Sequence, residues 1–268
     1  MSKTMKPFVS RSVKNKKIKS SAPGRICLFG EHQDYLGFPV IAAAIDLRIT
    51  IEGEVTEGDL IRVELPDMKR TMKFTSSKIR YDGAGDYLKS AVNVLKKENL
   101  FTPKSIHAVV KGNVPIRAGT SSSAALSVAW TGFLLQASGN DTSCYLENPA
   151  AAAELAFKAE VVEFNESGGR MDQYASAIGG IVYLDFYKEM TVEPLPMAIR
   201  EFVLGDSHQP KNTQHTLKRV RTAQEAAFRE LSTFLDVTDN FHISYKDTEP
   251  FMDKISADSR PYLRASNS

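Results

Sequence analysis

The segment RAGTSSSAALSVAWTGFLLQASG constrains the fold more than any other part of the chain. Leu126, Trp130, Phe133, Leu134 and Ala137 recur at helical spacing, which predicts a helix over about 122–138 with Gly139 as its stop. Trp130 is expected in the core of that helix. A loop of glycine and hydroxyl residues opens directly into it. The first turn of a helix has free backbone N–H groups and a partial positive charge. Gly119, Ser121, Ser122 and Ser123 are small enough to let an anion reach those groups, and phosphate is the natural ligand. No Gly-Lys-Ser/Thr follows the glycine, so this is not a Walker A loop. The alternative is a serine-rich helix cap, which needs only one of the three serines. Spacing alone leaves both readings open.

The rest of the chain mixes strands and helices without strict alternation, which predicts an α+β fold. RICLFG reads as a strand, FPVIAAAIDLRITIEGEV as one or two buried strands, and IRVELP and MKFTS as a short hairpin or meander. GDYLKSAVNVLKKENL carries Leu88, Val92 and Leu95 on one helical stripe. IHAVVKG, IVYLDF and FVLGDS read as further strands. Asn148–Pro149 starts a helix over PAAAAELAFKAEVVEF, and NTQHTLKRVRTAQEAAFRELSTFL is a long amphipathic helix. The tail from Asp236 is polar and weakly patterned.

At 42% hydrophobic, 25% charged and a formal net charge of +2, the 268-residue chain reads as a soluble globular protein, of one large or two small domains. Its two cysteines make no disulfide framework, which favours a reducing compartment, the cytoplasm. No apolar run is long enough to span a bilayer, and no secretory signal is visible. Residues 1–20 are basic. They read as a lead-in strand with a solvated charged edge, since no aromatics are interleaved to make a nucleic-acid platform. Neither a nucleic acid nor a membrane is therefore expected as a partner.

Two further patches carry chemistry. In KAEVVEFNESGGRMDQ, Glu160 sits late on an expected helix, and Asp172 opens the next one behind two glycines. A carboxylate there could accept a proton or merely complement the helix dipole. In SAPGRICLFGEHQDYLGFPV, the polar groups Arg25, Glu31, His32 and Asp34 crowd beside an apolar strand. Held rigidly at a strand end, such groups can point into a cleft. The remaining histidines, His107, His208, His215 and His242, have no metal-ligand spacing, and Cys27 is expected to serve packing.

Together the three patches resemble the GHMP superfamily of small-molecule kinases, in its galactokinase-like branch. APGRICLFGEHQDYLG is similar to the sugar-recognition motif, PIRAGTSSSAAL to the phosphate-binding loop, and GRMDQYASAIGG to the segment that supplies the catalytic aspartate. The resemblance covers residues 18–185 well. It implies a GHMP-kinase-like N-terminal domain over 21–190 (a mixed sheet with packed helices, ribosomal protein S5 domain 2-like) and a partial C-terminal ferredoxin-like α+β domain over 191–268. It implies an ATP-dependent sugar kinase that makes a sugar 1-phosphate from a free monosaccharide, with Mg²⁺. The alternative is a shortened, catalytically inactive protein that binds sugar or nucleotide. By the same resemblance Asp172 takes the proton of the sugar hydroxyl, with Arg25 beside it. Glu31, His32 and Asp34 bind the sugar. Arg117, Ala118, Gly119, Thr120, Ser121, Ser122 and Ser123 receive the phosphates, and Ser123 and Glu160 hold Mg²⁺. The chain departs from the family pattern at Arg117, where glycine is usual, at Thr120, where leucine is usual, and at Thr216, where galactokinases carry a sugar-contacting tyrosine. The family's third motif, a Gly-rich loop in the C-terminal half, has no match.

Overall fold

The computed structural model describes residues 16–83, 85–116, 118–186, 189–196, 201–205, 213–235 and 245–266. Its centre is β2, Val40–Thr56, a single strand where the sequence allowed one or two. Strand β1, Lys16–Phe29, runs antiparallel along one edge of β2 and crosses the boundary expected after residue 20. The other edge of β2 is shared. Ile49 to Thr56 pair with β5, Ser105–Gly112, and Val40 to Ala43 pair with β6, Ile181–Asp185. The sheet is completed by β3, Leu60–Leu65, β4, Arg70–Thr75, and β7, Thr191–Pro194, in the order β4-β3-β5-β2-β6-β7 with β1 on β2. The β3–β5 pair is parallel and the others are antiparallel, so the sheet is mixed as expected. Because β5 and β6 claim different halves of β2, the sheet forks, and the chain after β5 enters the fork.

Side chains alternate across the sheet. Ile18, Ile51, Val55, Ile61, Val63 and Ile106 face inward and are buried under two helices, α1, Tyr87–Lys97, and α2, Ser122–Ala137. Helix α2 is buried nearly all round, as its continuous apolar sequence requires. Trp130 is fully buried, stacks on Phe133 at 5.3 Å and donates its indole N–H to the Leu88 carbonyl at 2.9 Å. The outer face of the sheet carries the Lys19–Glu52 ion pair at 2.7 Å and the His107–Glu64 hydrogen bond at 3.0 Å, which is where the expected charged lead-in edge lies.

After the short α3, Ser143–Glu147, α4 runs Pro149–Phe157, with the Asn148 side chain accepting from the Ala150 and Ala151 N–H groups. The helix expected over PAAAAELAFKAEVVEF is present but not regular throughout. It passes at Lys158–Val162 into a π-helical turn, in which the Glu163 N–H reaches back to the Lys158 carbonyl at 2.9 Å. Helix α5, Met171–Ile178, follows two glycines. Residues 201–205 form no strand, contrary to the reading of FVLGDS. Val203 is 99% exposed and no neighbour takes up its backbone among the described residues, so its apolar pattern has no ladder to join. Helix α6, Thr213–Leu231, packs with α7, Tyr245–Thr248, and α8, Arg260–Ser266, around Phe228, Leu231, Met252, Ile255 and Leu263. Among the described residues no helix is long and apolar enough to cross a membrane.

Candidate active site

The β1–β2 register breaks at Gly24, passing from Pro23 opposite Arg48 to Arg25 opposite Ala44, so that β2 carries the extra residues of the bulge. A Cβ on Gly24 would lie 2.8 Å from the Thr120 carbonyl oxygen. Glycine therefore lets the loop between β5 and α2 press against β1. The contact is locked from the next residue. The Arg25 N–H donates to the Thr120 carbonyl at 3.1 Å, and its guanidinium donates to the Gly119 carbonyl at 2.9 Å and to Asp172 Oδ1 at 2.7 Å. Arg25 is 5% exposed. Burial works against its charge, but Asp172, and Glu31 beyond it, outweigh burial and raise its pKa above the ordinary value. Thr120, where the family pattern has leucine, is buried and donates its hydroxyl to the Pro115 carbonyl at 3.2 Å.

Asp172 lies in the first turn of α5, as expected. Its second oxygen, Oδ2, accepts from the Ser121 hydroxyl at 2.7 Å. Ser121 is the N-cap of α2, in the left-handed region at φ 55°, and its side chain makes no cap bond. The serine-cap alternative is thus not realised at Ser121, whose hydroxyl turns to the carboxylate. A non-glycine residue held left-handed costs on the order of 1–3 kcal/mol and persists where its surroundings over-determine it. Gly119, at φ 78°, also needs the left-handed region, and its missing Cβ faces open space.

Glu31, His32 and Asp34 follow β1 in a tight loop that includes left-handed Gly30, His32 and Gly37. Asp34 is nearly buried, and its Oδ2 accepts the Met171 N–H at 2.9 Å. An added Cβ on Gly169 would lie 2.0 Å from the same oxygen. Asp34 thus fastens the chain that presents Asp172. Burial pushes its carboxyl up to about 6, against the lowering effect of the Met171 N–H. An acid with a raised native pKa binds more protons folded than unfolded, so its contribution to stability is complete below the unfolded value and lost as pH rises through about 6. Urea unfolding of the ligand-free chain is expected to show this as up to about 3 kcal/mol between pH 7.5 and 4. Asp34→Asn keeps an oxygen for Met171 and removes that part of the slope; identical pH profiles for the two proteins would contradict the assignment.

The π-helical turn sets Glu160 into the same cavity, 6% exposed. Burial pushes its carboxyl up to about 7, although the Gln173 amide donates to it at 2.9 Å. The other end of that amide, Gln173 Oε1, is buried without a hydrogen-bond partner among the described residues. A buried carboxylate, an orphaned carbonyl oxygen and the Ser123 hydroxyl make an all-oxygen donor set, which fits a small hard dication. No cluster of three His, Cys, Asp or Glu side chains stands ready for a metal among the described residues. A cation that takes one or two carboxylates and completes its shell with phosphate and water does not need one.

These groups line one cavity of about 910 Å³. Arg25, Glu31, His32, Asp34, Ala118, Gly119, Ser121, Ser122, Ser123, Glu160 and Asp172 all contribute to its wall, so the structure gathers the sequence-predicted residues in one place, with Thr120 buried just behind. Arg117 and the Thr216 side chain lie outside the described residues, as do His208, His242 and the His215 side chain. An apolar part of the wall, with Ile49, Leu65, Val110 and Val114, has no counterpart among the predicted site residues. Neither do Gly169 and Gln173, although the Gly-Gly pair and the residue after Asp172 were visible signals. Cys27 serves packing as expected; burial lifts its thiol to about 12, which makes it a poor nucleophile.

Comparison with known proteins agrees with this geometry. Residues 86–180 match the family described as GHMP kinases N terminal domain, and residues 8–54 match the galactokinase galactose-binding signature. The chain is 32% identical to the mevalonate kinase of Thermococcus sibiricus over 219 residues, which cover 78% of the chain and 63% of that protein. It is 26% identical to a galactokinase of Haemophilus influenzae over 230 residues, 81% of the chain and 58% of that protein. The structure of Lactococcus lactis galactokinase complexed with galactose superposes with a TM-score of 0.77 at 21% identity, covering 94% of the chain and 66% of that structure. The chain thus spans less than two thirds of the length of these curated relatives.

Proposed function

The chain carries the N-terminal domain of the GHMP kinases, with the galactokinase galactose-binding signature ahead of it, and from that premise we propose that it is an ATP-dependent sugar kinase acting on a free, uncharged monosaccharide. The observation that carries the reading is the Asp172 carboxylate, held by Arg25 on one oxygen and Ser121 on the other, in the wall of a cavity that also holds Glu31, His32 and Asp34.

In this reading an acceptor hydroxyl, by the galactokinase likeness the anomeric one, lies against Asp172. Its oxygen forms a bond to the γ-phosphorus of ATP, the bond from that phosphorus to the β-γ bridging oxygen breaks, and the proton passes to the carboxylate. The products are a sugar phosphate and ADP. Little covalent chemistry is asked of the protein, and positioning and charge neutralisation are the main work. Arg25 holds the carboxylate in place and offsets charge beside the reacting phosphate. The N–H groups of residues 118–123 and the open first turn of α2 receive the phosphates. Mg²⁺ bound by Glu160 and Ser123, with Gln173 Oε1 as a further oxygen, would neutralise phosphate charge. The apolar wall formed by Ile49, Leu65 and Val110 suits a nucleotide base.

The mevalonate kinase relatives raise a second reading, a small alcohol bearing a carboxylate. Charge weighs against it. Around the acceptor, Glu31, Asp34 and Asp172 are acids, against the cation Arg25, already paired, and His32. An anionic acceptor would meet repulsion there, whereas a polyol can hydrogen-bond to carboxylates. Turnover of ATP is therefore expected with neutral hexoses or pentoses and not with uronic acids or mevalonate. Preference for an acid would reverse the assignment. Sugar binding without turnover, in wild type and Asp172→Asn alike, would leave the non-catalytic alternative standing.

A further inference from the structure

The loop that holds Glu31, His32 and Asp34 is tied on two sides. One tie is Asp34 on the Met171 N–H. The other runs to α6, a helix that brings no described residue to the cavity wall. The Tyr35 hydroxyl donates to Gln224 Oε1 at 3.1 Å, and Gln224 is 6% exposed. Arg221 sits over the Tyr35 ring at 5.8 Å. Phe38 stands 6.1 Å from Phe228, centroid to centroid, and packs on the apolar cluster of α6, α8 and the turn between Glu249 and Lys254. Burial keeps the Tyr35 phenol protonated, with its pKa pushed up to about 12, so it is the donor in this pair.

The loop needs such a tie. Its own backbone bonds are few: Gln33 to Gly30, Leu36 and Phe38 to Gln33, and Gly37 to Asp34. Against them stands the strain of His32 at φ 63°. A loop with a small internal bond set and a strained residue holds one conformation only if something outside over-determines it.

We propose that Gln224 is a positioning residue for acceptor recognition: through Tyr35 it fixes the loop that presents Glu31 and His32, so the helical part of the chain after 213 sets the affinity for the acceptor while leaving the nucleotide site alone. The kinetic part rests on the sugar-kinase reading; the structural part does not. Gln224→Met keeps the side-chain length and packing and removes the acceptor oxygen. Gln224→Glu restores an oxygen. In the full chain, amide hydrogen exchange at Leu36, Gly37 and Phe38 is expected to rise about fivefold to tenfold in Gln224→Met, as the loss of one net hydrogen bond implies. Exchange in α5 and β2 stays as in wild type, and Gln224→Glu returns the loop to near wild-type protection. With a turned-over sugar, KM for the sugar rises by a similar factor while kcat and KM for ATP stay within about twofold. Unchanged exchange at 36–38 in Gln224→Met overturns the proposal, as does a loss spread equally over kcat and both KM values. If no acceptor is turned over by wild type, the sugar-kinase reading falls and the exchange result still decides the clamp.

Discussion

Asp172→Asn is expected to cut turnover about 10³-fold while sugar and nucleotide still bind. The two carboxylate oxygens are both in use, Oδ1 by Arg25 and Oδ2 by Ser121. An amide offers one acceptor oxygen and a nitrogen that can only donate. With the amide oxygen toward Arg25, the nitrogen meets the Ser121 hydroxyl, which rotates to accept from it, but the sugar hydroxyl loses the group that takes its proton. Removal of the charge also leaves Arg25 in a buried site without its counter-ion. A buried pair broken on one side costs several kcal/mol, but Asp172 is a third exposed and the Gly119 carbonyl still serves the guanidinium, so about 1–3 kcal/mol is expected here. Turnover and urea unfolding measured on the same preparation separate the two effects. A variant that keeps turnover within tenfold of wild type would remove Asp172 from the chemistry.

Gly169→Ala is expected to be the most damaging single methyl group that can be added near the site. The new Cβ would overlap the Asp34 carboxylate, with Oδ2 at 2.0 Å and Cγ at 2.2 Å. Asp34 can withdraw only by giving up the Met171 N–H inside a nearly closed space. Overpacking and the stranded hydrogen-bonding groups together are expected to cost about 2–4 kcal/mol, or about 5–12 °C in Tm. Gly168→Ala is the control, because its Cβ would meet only Val161 at the ordinary distance of 3.5 Å. Calorimetry of the pair checks the claim. Equal Tm values for the two variants would show that the loop yields without cost and that Asp34 does not hold it.

The contrast between these neighbouring glycines shows where sequence reading reaches its limit. The Gly-Gly pair is visible as a flexible joint, but which glycine is indispensable depends on a residue 135 positions earlier in the chain. Local pattern was reliable where one helix or strand face decides the outcome. Helix α2 ends within a residue of its expected stop, because its apolar stripe and Gly139 act within a few residues of each other. Asp172 at the start of α5 and Ser121 at the mouth of α2 were both legible as candidates. Their direct hydrogen bond was not, since a motif gives each residue a role and not the distance between their side chains. The segment at 201–205 has the apolar run of a strand and, among the described residues, no strand to pair with, a condition that only the tertiary structure can impose. The weakly patterned tail places Met252, Ile255 and Leu263 against α6, which a few well-spaced apolar residues suffice to do.

The π-helical turn at Lys158–Val162 has a consequence for how this part of the chain can change. Such a turn is an ordinary helix that has absorbed one residue too many. Deletion of a single position between 158 and 162 would let regular α-helical bonding resume, and the lost register would swing Glu160 by about 100° around the axis, away from the cavity. The shorter helix would be the better-bonded one. Retention of the surplus residue therefore sets a local gain in helical regularity against the carboxylate that the turn delivers to the cavity and against the buried places of Ala159 and Val161, which the same rotation would displace.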